Sequence, residues 1–262
     1  MTRRLSTLVV ARNEEANLPD CLAALRFSDE IVVVLNNCTD SSKAIAERLA
    51  DRIVEGDWQI EGPRRNAGID ACGGDWILEV DADERVPADL AAEVRRVIQT
   101  AEPGHYLVPF DNYVGTRRVR YGWGGSWGVS AAPRLFSKGA KRWGDQYIHP
   151  RVELGPKRGV LQSRMVHHVD RDISDMIQRL DRYTTARARD LRAGGDIGRL
   201  SSNLRRFFSR FFKCYVARKG YREGHYGLLI ALFAGLYPLL SYLKARLEGD
   251  ESAPSQRSGE PS

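Results

Sequence analysis

Residues 74–87 read GDWILEVDADERVP. Trp76, Ile77, Leu78 and Val80 form a short apolar run bounded by glycine and acid, the pattern of a buried strand. Asp81 and Asp83 follow at once, separated only by Ala82. In an open α/β sheet, ligands bind just past the carboxyl ends of the strands. Residues at i and i+2 point the same way while the chain stays extended. Two carboxylates so placed can share one divalent ion, because hard cations prefer oxygen ligands and substrate phosphates. The competing reading is a solvated acidic turn that caps the helix after Pro87. The tripeptide alone does not choose between the two.

Upstream, TLVVA (7–11) reads as a first strand, with Arg12, Asn13 and Glu14 at its end. Leu18, Cys21, Leu22 and Leu25 then recur as one face of a helix. EIVVVL (30–35) is apolar almost throughout, as a parallel strand buried on both faces would be. It runs into NNCTDSS, where Thr39 or Asp40 can cap a helix carrying Ala44, Ile45 and Leu49. DRIVE (51–55) is a short third strand, and EGPRRNAGIDACGG (61–74) is a loop and helix carrying Arg64, Arg65 and Asn66. Strands alternating with helices at this spacing predict βαβ units and a mostly parallel, Rossmann-like α/β sheet. From Pro87 to Gln99 a helix is expected, with Leu90, Val94, Val97 and Ile98 on its buried face.

VVARNEEANLPDCLAAL, EIVVVLNNCTDSS and GPRRNAGIDACGGDWILEVDADE, in this order and spacing, resemble a glycosyltransferase family 2 domain of GT-A fold over residues 5 to about 100. The resemblance implies an inverting transferase that binds a nucleotide sugar with Mg²⁺ or Mn²⁺. It implies that Asp83 ligates the metal, that Asp81 holds the ribose or a metal-bound water, and that Arg65 points at the nucleotide. Arg12, Asn13, Glu14 and Asn36 fall where the family lines the nucleotide pocket. One departure is that Leu35 and Asn36 stand where the family has an acid after the second strand; Asn36 can still meet a base edge through its amide. The chemistry is coherent with this. Charge accumulates on the departing diphosphate, so a cation and arginines placed there stabilise the transition state more than the ground state.

HYLVPFDNYV (105–114) and RLFSKG (134–139) read as further strands. RVRYGWGGSWG (118–128) offers Tyr121, Trp123 and Trp127, which suit either a sugar ring or a hairpin with packed tryptophans. RLF, IHPRVEL and HHVDRDISDMIQRLDRYTT extend the resemblance, to about residue 246, toward the WaaE/KdtX-like lipopolysaccharide-core glycosyltransferases. Where that group implies a glutamate base within V-H-E-R-V, this chain has Pro150 after His149. An inverting transfer needs a carboxylate near the acceptor hydroxyl, so Asp145 and Glu153 are the candidates for the base. His167, five residues before Asp172, matches the family's H-x-x-x-R-D and is the expected further metal ligand, with His168 the alternative.

Ile173, Met176, Ile177, Leu180 and Tyr183 trace one side of a packing helix. From Leu204 to Val216, aromatic and aliphatic residues step by three and four, and no acid interrupts the chain from Arg205 to Arg222. A basic amphipathic helix of this kind lies on an anionic membrane surface. LLIALFAGLYPLLSYL (228–243) is short of the ~20 residues needed to span a bilayer and holds Pro238, so it reads as interfacial or as a buried hairpin. The tail from Gly249 is compositionally disordered.

A net charge of +6 calls for an anionic partner. No RNP, KH or zinc pattern points to nucleic acid. Four scattered cysteines fit a reducing compartment, and the opening apolar run breaks at Arg12, too early for a signal peptide. The expected organisation is a GT-A domain over 1–170, a helical membrane-associating region over 171–248 and a tail over 249–262. The expected protein is cytoplasmic and peripheral at the inner membrane. It moves a hexose such as glucose from a UDP-linked donor to a lipopolysaccharide inner-core or related glycolipid acceptor. Transfer to a polyprenyl phosphate, or an inactive nucleotide-sugar or lipid-binding protein, are the alternatives; Leu35 and Pro150 keep the inactive reading open.

Overall fold

The computed structural model describes residues 2–124, 128–145 and 151–248. Trp127, His149, Pro150 and the tail from Gly249 lie outside the described residues. The chain divides into two compact units, one of Met1–Arg118 with Val129–Val169, the other of Val119–Gly128 with Asp170–Ser262.

The first unit opens with the predicted alternation: β1 (Leu5–Ala11), α1 (Leu18–Ala23), β2 (Glu30–Asn36), α2 (Ser42–Leu49), β3 (Arg52–Gly56), α3 (Glu61–Ala71) and β4 (Trp76–Asp81). β1 pairs in parallel with both β2 and β4, and β2 with β3, so Val9 lies between Val33 and Val80. Strand alternation splits β4 between two cores. Trp76, Leu78 and Val80 join Leu18, Leu22, Leu90, Val94 and Ile98 on one face. Ile77 joins Leu8, Val32, Val34 and Ile69 of α3 on the other. Glu79 and Asp81 share the parity of Ile77, so both carboxylates face α3.

Next come β5 (Glu84–Arg85), α4 (Ala88–Thr100), β6 (His105–Val114), β7 (Arg117–Val119), β8 (Ala131–Ser137), β9 (Lys141–Trp143), β10 (Val152–Leu154), β11 (Lys157–Val160) and β12 (Met165–Asp170). The sheet runs β3-β2-β1-β4-β8-β6-β12-β5. Beyond β4 its pairing turns antiparallel: β8 runs against β4 and β6, with Ile77 facing Phe136. β12 runs against β5 with His167 opposite Glu84, and the His168 N–H donates to the Asp83 carbonyl at 3.0 Å. A histidine more than eighty positions away is thus zipped by backbone pairing onto the acidic turn.

Several expectations change. The chain leaves extended geometry at Ala82, where a turn separates β4 from β5, so Asp81 and Asp83 do not project as an i, i+2 strand pair. Ser41 takes the N-cap position of α2, while the Asp40 carboxylate accepts the Ser42 N–H at 3.0 Å. In α2 the buried positions are Ser42, Ile45 and Ala46, and Ala44 is exposed. Trp123 is buried with its Nε1–H donated to the Val119 carbonyl at 2.7 Å, a packed tryptophan and not a platform for sugar.

In the second unit, α5 (Ile173–Ala193), α6 (Leu200–Phe212) and α7 (His225–Leu247) pack together, α7 against each of the others. The buried face of α5 is Met176, Arg179, Leu180, Thr184 and Ala188; Ile173, Ile177 and Tyr183 are exposed. A π-helical turn, Lys213–Ala217, continues α6. The apolar stretch around Pro238 is one helix and not a hairpin. It is long and apolar enough to cross a membrane, though 44% of its most apolar window is buried within the protein. Its buried positions include the small residues Ala231, Ala234, Gly235, Ser241 and Ala245 beside Ile230 and Phe233, and a Cβ at Gly235 would stand 2.9 Å from the Phe207 carbonyl oxygen.

Candidate active site

The end of β4 carries a buried chain of ion pairs. Glu79, fully buried, is held by Arg65 of α3 and Lys141 of β9. Arg65 also bonds Glu61 at 2.8 Å and Asp81 at 3.2 Å. Arg134 of β8 grips both Asp81 and Glu84, and the second Glu84 oxygen accepts the Asp81 N–H at 2.9 Å. Trp143 stacks on the Arg65 guanidinium and the Lys141 ammonium, each 5.0 Å from the ring centre. β9 can lie this close because α3 has glycine at Gly62, where a Cβ would stand 1.9 Å from the Gly144 carbonyl oxygen.

This network fixes protonation. Burial alone would raise the pKa of Asp81, but Arg134 and Arg65 hold it well below the usual carboxylate range. Glu79 is lowered in the same way, by Arg65 and Lys141 against burial. Four carboxylates (Glu61, Glu79, Asp81, Glu84) meet three cations (Arg65, Arg134, Lys141). The surplus falls on Glu84, whose pKa is raised by burial and by Asp81 despite Arg134.

Asp83 has a different setting. It is 38% exposed and lies 3.5 Å from His167 Nε2. The other ring nitrogen, Nδ1, is 3.0 Å from Asn112 Oδ1. Asn112 Nδ2 donates to the Val129 carbonyl at 3.0 Å, which fixes the amide's orientation. An amide oxygen only accepts, so Nδ1 carries the hydrogen. Nε2 then presents to Asp83 either a proton or a lone pair. Burial opposes charging of His167, but the Asp83 hydrogen bond and charge, with Glu84, outweigh it and raise its pKa. A lone pair facing a carboxylate, with the far nitrogen anchored, is the donor arrangement of a ligand histidine. Among the described residues no group of three or more His, Cys, Asp or Glu converges as a complete metal cage. Asp83 and His167 offer one carboxylate oxygen and one imidazole nitrogen side by side, a partial donor set of the kind that a divalent ion completes with phosphate and water. His168 is the wrong neighbour: strand alternation turns it toward Tyr113, 5.7 Å between ring centres.

The remaining sequence candidates divide. Glu14 lies close enough to the acidic turn that burial and the charges of Asp83, Asp40 and Asp81 raise its pKa, against an Asn17 hydrogen bond. Asn13 has φ 57° and accepts the Thr39 N–H at 2.8 Å, tying the ends of β1 and β2 together. Arg12 is exposed beside it. Asn36 is buried and both ends of its amide are spent on the Trp58 backbone, at 2.8 and 3.1 Å, so it is not presented to a base. Arg65 is saturated by three carboxylates. Its neighbour Arg64 makes no hydrogen bond or ion pair among the described residues, and its Nε is buried without a partner. Burial and the charge of Arg65, with Arg12, lower its pKa against the opposing pull of Glu61 and Asp81. Such a guanidinium is short of an anion. Asp145 and Glu153 are both exposed, and neither contacts the acidic turn among the described residues. A pocket of about 350 Å³ opens at the carboxyl ends of β2 and β3, lined by Asn37, Cys38, Lys43, Glu55 and Asp57 and by neither aspartate of the turn.

Sequence reasoning passed over Glu79, Glu84, Asn112, Arg134 and Lys141. One signal was available: an acid inside an apolar strand is almost never buried without a cation, so Glu79 demanded partners elsewhere in the chain.

Residues 6–153 match the profile of glycosyl transferase family 2. Over 98% of its length the chain is 22% identical to an uncharacterized glycosyltransferase of Rickettsia bellii, covering 91% of that protein. It is 23% identical over 92% of its length to the lipopolysaccharide core biosynthesis glycosyltransferase LpsC of Rhizobium meliloti, covering 91% of it. Other rickettsial relatives are matched over about a third of their own length, 36% for that of Rickettsia typhi. Among solved structures, S. aureus TarS 1–349 superposes with a TM-score of 0.48 at 12% identity, with 70% of this chain and 65% of that one covered.

Proposed function

The chain belongs to glycosyltransferase family 2 and is a nucleotide-sugar-dependent transferase of GT-A type, and from this we propose an inverting hexosyltransferase that uses a UDP-linked donor and a glycolipid acceptor of the lipopolysaccharide core. The observation that carries the reading is the Asp83–His167 pair, 3.5 Å apart, with His167 Nδ1 anchored by Asn112. Asp83 and His167 would hold Mg²⁺ or Mn²⁺, which when bound neutralises charge on the diphosphate. Arg64 reaches for the same phosphates with a guanidinium that has no hydrogen-bond partner among the described residues. Asp81, locked by Arg65 and Arg134, stays ionised and presents its 30% exposed edge to the ribose or to a bound water. An acceptor hydroxyl attacks the anomeric carbon as its bond to the diphosphate breaks and gives its proton to a carboxylate, for which Asp145 and Glu153 are the candidates although neither contacts the acidic turn among the described residues of the free protein. The acceptor class is supported by the likeness to LpsC along nearly the whole chain. On this reading the enzyme works at the cytoplasmic face of the inner membrane.

The test is nucleotide release from UDP-, GDP-, ADP- and dTDP-sugars, with Mn²⁺ and with chelator, and with truncated core lipid as acceptor. Release of UDP that needs both metal and core lipid, and is lost in Asp83→Ala, is expected. Donor binding without release under any acceptor favours an inactive binding protein. Release onto polyprenyl phosphate instead of core lipid overturns the acceptor.

A further inference from the structure

The second unit carries an apolar stripe that no other described element covers. Leu200, Leu204, Phe208, Phe212 and Val216 recur at every fourth position along α6 and the π-turn, and they are 45, 40, 65, 63 and 41% exposed. The opposite side of the helix is the packed one: Asn203 and Cys214 are buried, and Phe207 lies against Gly235 of α7. Packing of the helix against α7 therefore does not use the stripe. Two phenylalanine rings more than half in water, in line with three aliphatic side chains, form a contiguous patch of the kind that marks an interaction surface.

Charge decides what the surface meets. Arg205, Arg206, Lys213 and Lys219 are exposed beside the stripe. None of them makes an ion pair among the described residues, and no acid occurs from Arg205 to Arg222. A second copy docked face to face would bring these cations together in a desolvated contact, which disfavours self-association. An anionic bilayer satisfies both halves at once. Its headgroup phosphates receive the guanidinium and ammonium groups, and its acyl boundary receives the rings.

We propose that α6 and the π-turn are the membrane-docking element of this protein, with Leu204, Phe208 and Phe212 entering the acyl boundary of an anionic leaflet and Arg205 and Lys213 lying at its phosphates. Docking of this kind needs no donor, metal or glycolipid, so it is independent of the transferase reading.

The experiment is flotation of the full-length protein with vesicles of phosphatidylcholine, alone or mixed with phosphatidylglycerol, and no glycolipid or sugar nucleotide present. Wild type is expected to float with the anionic vesicles only, and less at high salt. Phe208→Ser/Phe212→Ser and Arg205→Gln/Lys213→Gln should each lose about tenfold or more in partitioning, with Tm unchanged. A Phe208→Trp variant provides a readout that requires no loss of binding, since its fluorescence should be quenched by brominated phosphatidylglycerol. Equal flotation of wild type and both double variants overturns the proposal, as does an unquenched Trp in a protein that floats. A wild-type dimer that ignores vesicles and dissociates in Phe208→Ser/Phe212→Ser assigns the stripe to a second copy instead.

Discussion

The side-chain amide of Asn112 decides which nitrogen of His167 carries the proton. Its Nδ2 is committed to the Val129 carbonyl at 3.0 Å, so Oδ1 faces the ring and Nδ1 must donate. Asn112 sits on β6 and His167 on β12, so the tautomer is set by a neighbouring strand and not by the acidic turn. The consequence is that Nε2 is the only ring nitrogen able to offer a lone pair to an ion at Asp83.

Asn112→Leu removes that acceptor and frees the ring to turn. Mn²⁺ affinity should fall ~10- to 100-fold, the usual cost of losing the partner behind a ligand histidine. Asn112→Asp keeps an acceptor in place and should bind Mn²⁺ nearly as wild type does. Manganese titration followed by electron paramagnetic resonance separates the two variants; equal weakening in both would refute the tautomer argument.

Acid should work on this pair in two opposite senses. The pKa of His167 is raised above its ordinary value of about 6.5 because Asp83 outweighs burial. A group whose folded pKa is raised stabilises fully below the unfolded pKa and loses that contribution as pH rises through the folded one. In chelated protein, therefore, Tm relative to Asp83→Asn should be highest near about pH 6 and the difference should shrink toward about pH 8. Metal needs the unprotonated Nε2, so Mn²⁺ affinity should climb across that same window. Thermal scans in chelator and binding isotherms at both pH values check the two slopes. An affinity independent of pH removes His167 from the ligand set.

The Glu79–Lys141 pair is buried on both sides, at 0% and 2% side-chain exposure. Lys141→Met leaves the fully buried Glu79 paired with Arg65 alone, and breaking a buried pair in this way costs ~3–5 kcal/mol. Glu79→Gln/Lys141→Met removes both charges and should cost less than the sum of the single changes, with a coupling of ~1–3 kcal/mol. Urea unfolding of the four proteins measures it. Strict additivity would mean that the pair is not a unit.

How far the sequence reaches follows from the range of the interactions. The parallel half was legible because TLVVA, EIVVVL and WILEV each bury both faces, and that is written locally in apolar runs. The acidic turn was legible for the same reason, since strand and acids are contiguous. Its geometry was not: the bend at Ala82 depends on β5 pairing with β12, a contact across eighty residues with no local signal. Arg65 and Arg64 illustrate the limit. They are adjacent and identical in type, and only the positions of Glu79 and Asp81 relative to α3 decide which one is consumed. The aromatic helix showed its period plainly, but period does not tell which side is buried. Only α7 does that, by claiming the side with Asn203 and Cys214.

The two arginines give the sharpest contrast to test. Arg65 serves Glu61, Glu79 and Asp81 and stacks under Trp143, so Arg65→Ala strands buried carboxylates. Its main effect should be a loss of stability of ~3–5 kcal/mol, with any residual activity seen only well below the lowered Tm. Arg64 makes no hydrogen bond or ion pair among the described residues and carries a buried, unpaired Nε, so its removal strands no partner and loses only longer-range attraction to Glu61 and Asp81. Arg64→Ala should leave Tm near the wild-type value, because the repulsion from Arg65 and Arg12 that it relieves offsets the attraction to Glu61 and Asp81 that it loses. It should raise donor KM about tenfold or more, the scale of a lost charged hydrogen bond to phosphate. Arg64→Lys should recover only part of this, since a point charge replaces a planar fork. Thermal denaturation and donor titration of the three variants decide the matter. If Arg64→Ala unfolds the protein, the free guanidinium is structural; if Tm and donor KM both stay at the wild-type values, the diphosphate lies elsewhere.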